Sequence, residues 1–286
     1  MQQKKQISWF WVILFSYILC FIFRFIEYLV IRTDQSVIGE AFLHKLAGIA
    51  VMAGTLKYSQ YKWPEIGFKR PEAVRHTLWG LLLGGGVFTA AYGAEYVIQL
   101  IAGNRPAFAF YISSYSLTGN QVMENSILFL IICIAGNLIN VVMEEGLFRG
   151  LFIKLGERRL KWFPAMMLAA LLFGIWHIAA PVRSFLDGRM SLQSMLLASM
   201  VQILLTGLMG IKLGIMVKIT GTLWAGMADH FLNNFIINVL HVVTAAGADE
   251  MQMFRISAAQ TISFIVVLLW YRSAKKAISM KTLNKT

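Results

Sequence analysis

The sequence predicts an all-α fold, a polytopic membrane helix bundle of about eight transmembrane helices with both termini cytoplasmic. Three observations carry this expectation. Of the 286 residues, 58% are hydrophobic and only 14% charged, with a mean hydropathy of +0.65, well beyond the balance of a soluble domain. Apolar stretches of about 20 residues, the length that crosses a hydrocarbon core of roughly 30 Å, recur along the chain. With a cytoplasmic N-terminus, 18 of the 26 Lys and Arg residues fall in inner segments, 5 in outer ones and 3 within spans, the asymmetry of the positive-inside rule.

The spans are expected near 7–31, 38–56, 77–102, 125–153, 163–182, 192–211, 219–240 and 256–271. The first follows Lys4 and Lys5 and runs on without a small-residue cleavage site, so it reads as a transmembrane helix rather than a cleaved signal peptide. Between the second and third lies Trp63-Pro64-Glu65-Ile66-Gly67-Phe68, which reads as a short interfacial segment. The loop from Gly103 to Glu124 carries the aromatic cluster Phe108, Phe110 and Tyr111. Neither loop is large enough to fold alone, so residues 1–286 read as a single transmembrane domain, with a catalytic core over 125–240. Gly146 with Gly150, and Gly210 with Gly214, would let helices approach closely. Lys212, between the sixth and seventh spans, is counted with the inner loops, and Arg183 and Arg255 with the outer ones.

Composition also excludes some functions. The two cysteines, Cys20 and Cys133, both lie in apolar spans, which argues against a disulfide framework and rules out a Cys-based zinc site. The net charge of +12 is explained by topology and anionic lipid, so no nucleic-acid partner is needed.

Within the fourth span, Val141-Val142-Met143-Glu144-Glu145-Gly146-Leu147-Phe148-Arg149-Gly150 places two carboxylates and a guanidinium in an apolar run. A charge near the bilayer centre costs roughly 2.5 to 3.5 kcal/mol on insertion scales. At 1.5 Å rise per residue, Glu144 lies about 15 Å deep, His177 about 21 Å and His230 about 18 Å, so all three sit near mid-membrane. Glu145 and Arg149 are i and i+4 with the acid first, the favourable order for an ion pair. Glu144 is rotated about 100° from Glu145 and points elsewhere. Phe173 shares a face with His177, and His230 with Asn234.

Such a set supports hydrolysis. A carboxylate and an imidazole can deprotonate a water, while a second imidazole and an amide can stabilise the oxyanion formed on a carbonyl. Two histidines and a carboxylate are also the ligands of many zinc sites, so Glu144, His177 and His230 form an alternative metal set. A His-Glu-x-x-His segment is absent.

Glu144-Glu145-x-x-x-Arg149, Phe173-x-x-x-His177 and His230-x-x-x-Asn234, in order on three hydrophobic helices, resemble the CPBP family. That family contains CAAX prenyl proteases of the Ras-converting type and bacterial bacteriocin-processing or self-immunity (Abi) proteins. The resemblance implies an intramembrane endopeptidase with Glu144 as general base acting with His177. His230 and Asn234 would stabilise the oxyanion, and Glu145, Arg149 and Phe173 would support them. The family has been described both as metalloproteases and as metal-independent glutamate proteases. The metal-free form is favoured here, because Asn234 is a better oxyanion donor than zinc ligand, and zinc stays as the alternative cofactor.

The expected substrate is a peptide or lipidated protein tail, and the expected location a bacterial plasma membrane. A non-proteolytic membrane scaffold, partnering a bacteriocin receptor or sensor kinase, is the competing function. Polar residues can also simply join helices. That is the expectation for Arg24 with Glu27 and for Glu40 with Lys45, while Glu95 is expected to be solvated. Arg149 could snorkel to lipid phosphate, and Asp229 could orient the neighbouring imidazole. His44, His76 and His241 match no motif.

Overall fold

The computed structural model describes residues 8–35, 41–113, 123–245, 247 and 249–283. It is an all-α bundle. Helix α1 spans Trp9–Ile26 and continues as a π-helical stretch, Glu27–Ile31; α2 spans Leu43–Ser59 and α3 Ala73–Ile101. Helix α4, Ile127–Glu144, runs unbroken through π-helical Glu145–Phe152 into a last turn at Ile153–Gly156. Then follow α5 (Trp162–Trp176), α6 (Ala179–Leu186), α7 (Leu192–Thr220), α8 (Trp224–Val239) and α9 (Gln252–Leu283).

Six helical stretches among the described residues are long and apolar enough to cross a membrane. Helices α2 and α8, at 17 and 16 residues, are shorter than the expected eight spans require. Glu40, offered as the partner of Lys45, lies outside the described residues. Two small antiparallel pairs sit in the loops. Strand β1 (Ala107–Phe110) pairs with β4 (Leu240–Val243), and β2 (Ile112–Ser113) with β3 (Met123–Glu124). The aromatic loop thereby becomes tied to the end of α8.

Local sequence explains the helix ends. Ser126 accepts a hydrogen bond from Phe129 N and caps α4; Ser191 does the same for α7 through Ser194 N. Helix α7 stops at Gly221, whose φ of +70° suits glycine. The span expected over 163–182 breaks at His177, between α5 and α6. Pro181 accounts for this: it has no N–H, and its ring would meet the carbonyl of the residue four before it, His177.

Helix α4 is the axis of the molecule. It packs against α2, α5, α7 and α8, while α3 lies on α8 and α9 covers α3 and α7. Every residue from Glu145 to Phe152 is buried, and Met143, Leu147, Phe148 and Leu151 meet Met52, Phe173, Trp176 and Met216 in the main core. Glycines permit the approach: a Cβ at Gly150 would lie 2.7 Å from the Ile66 carbonyl oxygen, and one at Gly214 2.7 Å from Met166 Cγ. The segment around Trp63 therefore does more than lie at an interface. It tucks Ile66 against α4, and Leu223 N donates to the Gly67 carbonyl.

Three charges read as loop residues belong to the bundle. Lys212 lies within the unbroken α7 and is buried against Asp229, 2.6 Å away. Arg255 pairs with Glu95 at 2.5 Å, and Glu95, expected to be solvated, is 0% exposed. Arg183 pairs with Asp34. A lone charge marks a helix end in sequence; a charge with a buried counter-ion does not.

Candidate active site

The three motif helices and their neighbours enclose a cavity of about 380 Å³. Its polar wall contains Glu144, His177, His230 and Asn234, together with Arg24 and Lys45. Leu205 and Met209 of α7 and Met253 and Ile256 of α9 supply an apolar wall.

Glu144 is 2% exposed and held from both sides. Trp176 Nε1 donates to its Oε1 at 2.8 Å, and Asn140 Nδ2 to its Oε2 at 3.3 Å. Arg24 Nη1 lies 3.7 Å from the same carboxylate, with its guanidinium stacked 4.5 Å from the Trp176 ring. Arg24 does not pair with Glu27, as the sequence suggested. Instead Arg24 donates to His44 Nε2 at 3.3 Å, and the His44 Nδ1 hydrogen bonds Glu27 Oε2 at 2.5 Å. Glu27 also accepts the backbone N–H groups of Leu43 and His44, the first turn of α2, where a carboxylate is favoured. His44, which matched no motif, is thus the link between α1, α2 and the site.

The adjacent Glu145 faces the other way, as the 100° rotation requires. Its Oε1 lies 2.8 Å from His230 Nδ1, and its Oε2 lies 3.3 Å from Arg149 Nε. Arg149 is 2% exposed, so it does not snorkel to the interface. Its guanidinium stands 3.8 Å from the Phe173 ring centre, a cation–π contact, and makes no hydrogen bond among the described residues. Phe173 in turn packs edge-on to His177 and His230 at 4.6 and 6.3 Å. The π-helical winding that begins at Glu145 is a feature the sequence did not announce, and such stretches recur at functional sites.

The ring nitrogens can be assigned from their partners. His177 Nδ1 lies 2.8 Å from the Phe173 carbonyl, which can only accept, so Nδ1 carries the hydrogen and Nε2 is left for the cavity. His230 Nδ1 likewise donates to Glu145, and its Nε2 lies 3.8 Å from Glu144 Oε2. Asn234 Oδ1 accepts from Asn233 Nδ2 at 2.9 Å. Asp229 is not the orienter of His230; it bonds Lys212. Glu145 takes that place, a pairing between helices that no spacing within one helix could reveal. Among the described residues no group of three or more His, Cys, Asp or Glu side chains is arranged to hold a metal ion.

Residues 126–236 match the family model described as Type II CAAX prenyl endopeptidase Rce1-like. No curated protein matches the chain. The matched segment contains the three motifs and ends before α9. Over that segment, which carries the three motifs, the chain is similar to the type II CAAX prenyl endopeptidases, a family of membrane-embedded proteases.

Proposed function

We propose that this multi-pass membrane protein cleaves a peptide bond in a lipidated protein or peptide tail, using Glu144 to activate water without a metal. The observation that supports this reading is the convergence of Glu144, His177, His230 and Asn234 on one cavity that also has an apolar wall. A water between Glu144 and His177 Nε2 gives up a proton to the carboxylate as its oxygen attacks the carbonyl carbon. The negative charge that develops on the carbonyl oxygen is met by the Asn234 amide N–H and by His230, whose Nε2 becomes a donor when the ring is protonated. The Glu145 carboxylate accepts the Nδ1 hydrogen and holds the ring with Nε2 toward Glu144. Collapse breaks the C–N bond, and the proton held by Glu144 passes to the leaving amine.

The setting favoured is a bacterial plasma membrane with both termini cytoplasmic. The charge asymmetry supports the orientation: Lys212 leaves the inner set of 18, while Arg183 and Arg255 leave the outer set of 5. The test is cleavage of a farnesylated and an unmodified fluorogenic peptide by purified protein in detergent. Turnover lost in both Glu144→Ala and His177→Ala, with both variants folded, supports the proposal. Equal turnover by the variants would overturn it.

A further inference from the structure

Glu144 meets a cation of α1, and a chain of contacts that begins at Glu27 sets where that cation stands. Glu27 is 1% exposed, and four groups converge on its carboxyl. The Thr33 hydroxyl and Leu43 N reach Oε1, while His44 N and the His44 ring nitrogen Nδ1 reach Oε2. The two backbone groups can only donate, so both oxygens accept and the side chain acts as a carboxylate. On the other side of the same ring, Nε2 faces Arg24 Nη1 at 3.3 Å, and a guanidinium has no lone pair with which to accept.

A ring held between an acceptor and a donor has one state that satisfies both. Nδ1 carries the hydrogen and Nε2 offers its lone pair to Arg24; the other tautomer, or the imidazolium, would set N–H against N–H inside the protein. Arg24 is 5% exposed, donates through Nη2 to the Tyr28 hydroxyl and lies over the Tyr28 and Trp176 rings. Held in this way, its Nη1 stands 3.7 Å from Glu144 Oε1. Arg149 is engaged with Glu145 instead. We infer that Glu27 and His44 are positioning residues that hold Arg24 as a counter-charge to Glu144, which a carboxylate buried in an apolar span requires. All three precede the segment matched by the family model. The inference rests on the proposed role of Glu144 for its catalytic consequence, while the state of the His44 ring stands on the hydrogen bonds.

The first arm needs no substrate. The full-length protein, labelled with ¹⁵N in its histidine rings, is measured by NMR in detergent at neutral pH, and the His44 signals are assigned by their loss in His44→Gln. The expected result is a hydrogen on Nδ1 and none on Nε2, the two nitrogens being distinct in shift and in coupling to hydrogen. A hydrogen on Nε2 overturns the relay, because Arg24 would then have nothing at His44 to accept from it.

Kinetics on the farnesylated peptide form the second arm. Arg24→Gln keeps hydrogen-bonding groups and removes the charge; it should lower kcat about 10²- to 10³-fold, the loss expected when a buried charge is left without its partner, with KM little changed. Arg24→Lys keeps the charge and should lose clearly less. Wild-type turnover by Arg24→Gln, which leaves Lys45 on the cavity wall, or equal losses in the two variants would overturn the counter-charge role. His44→Phe keeps a ring and removes the acceptor, and should lower kcat about 10- to 100-fold. In an Arg24→Gln background it should cost nothing further, and an independent, additive loss would refute action through Arg24. If Glu144→Gln keeps wild-type turnover, the proposed function fails, and the ring signal still decides the relay.

Discussion

Glu145 and His230, on α4 and α8, join through a 2.8 Å contact between Oε1 and Nδ1. The contact fixes the imidazole so that Nε2 faces Glu144. Glu145→Gln keeps the size of the side chain and removes the charge that accepts the Nδ1 hydrogen bond and orients the ring. A fall in kcat of about 10- to 100-fold with KM near wild type is expected, as for a group acting on the transition state alone. Glu145→Gln and Glu145→Ala both leave Arg149 buried without its counter-ion, costing about 3–5 kcal/mol. A clear drop in the thermal midpoint of both variants in detergent checks this, and midpoints equal to that of the wild type would count against it.

Trp176 holds the other carboxylate. Its Nε1 hydrogen bond to Glu144 is 2.8 Å long, and the residue is 0% exposed. Trp176→Phe removes the donor and leaves most of the packing; a hydrogen bond to a charged group contributes about 1.5–3 kcal/mol. Steady-state kinetics should show kcat/KM reduced about 10- to 100-fold. Unaltered kinetics would mean that Asn140 and Arg24 suffice to place Glu144.

Gly150 tests the packing of α4. A methyl group there would meet the Ile66 carbonyl oxygen, which belongs to backbone and cannot rotate away. Gly150→Ala should destabilise by about 1–3 kcal/mol, read as a lower midpoint in thermal unfolding. A midpoint at or above that of the wild type would show that the Trp63–Ile66 segment is free to move off α4.

Asp187, just past α6, carries a pH dependence. Burial alone would raise its pKa, but the Arg32 hydrogen bond and charge, with Arg189 and Arg183, hold the carboxyl below the usual range. A depressed carboxylate contributes stability above the unfolded value of about 3.9 and loses it as pH falls through the lower folded value. The midpoint difference between wild type and Asp187→Asn should therefore be full from neutral pH to about 4 and shrink below that. A difference that persists unchanged into stronger acid would contradict the pairing.

The sequence made the bundle legible, because apolar runs and their basic flanks follow directly from membrane burial. It also singled out Glu144, Glu145, His177 and His230, since each is an ionisable group in a stretch with no other reason to hold one. What stayed hidden is contact between helices far apart in the chain. Glu27 could be given a partner only from its own helix, yet it bonds His44, 17 residues on. Lys212 and Arg255 read as helix ends because their counter-ions, Asp229 and Glu95, come from other helices. The π-helical turn at Glu145 left no mark in composition or spacing. The break at His177 did leave one, in Pro181.

Most direct is the cleavage assay on the farnesylated peptide with wild type and Glu144→Gln, each with and without a zinc chelator. Wild-type turnover that survives chelation and falls by at least about 10³-fold in folded Glu144→Gln is expected of a carboxylate that activates water itself. Turnover by Glu144→Gln close to wild type would contradict that role, and loss of wild-type turnover on chelation would contradict the metal-free form.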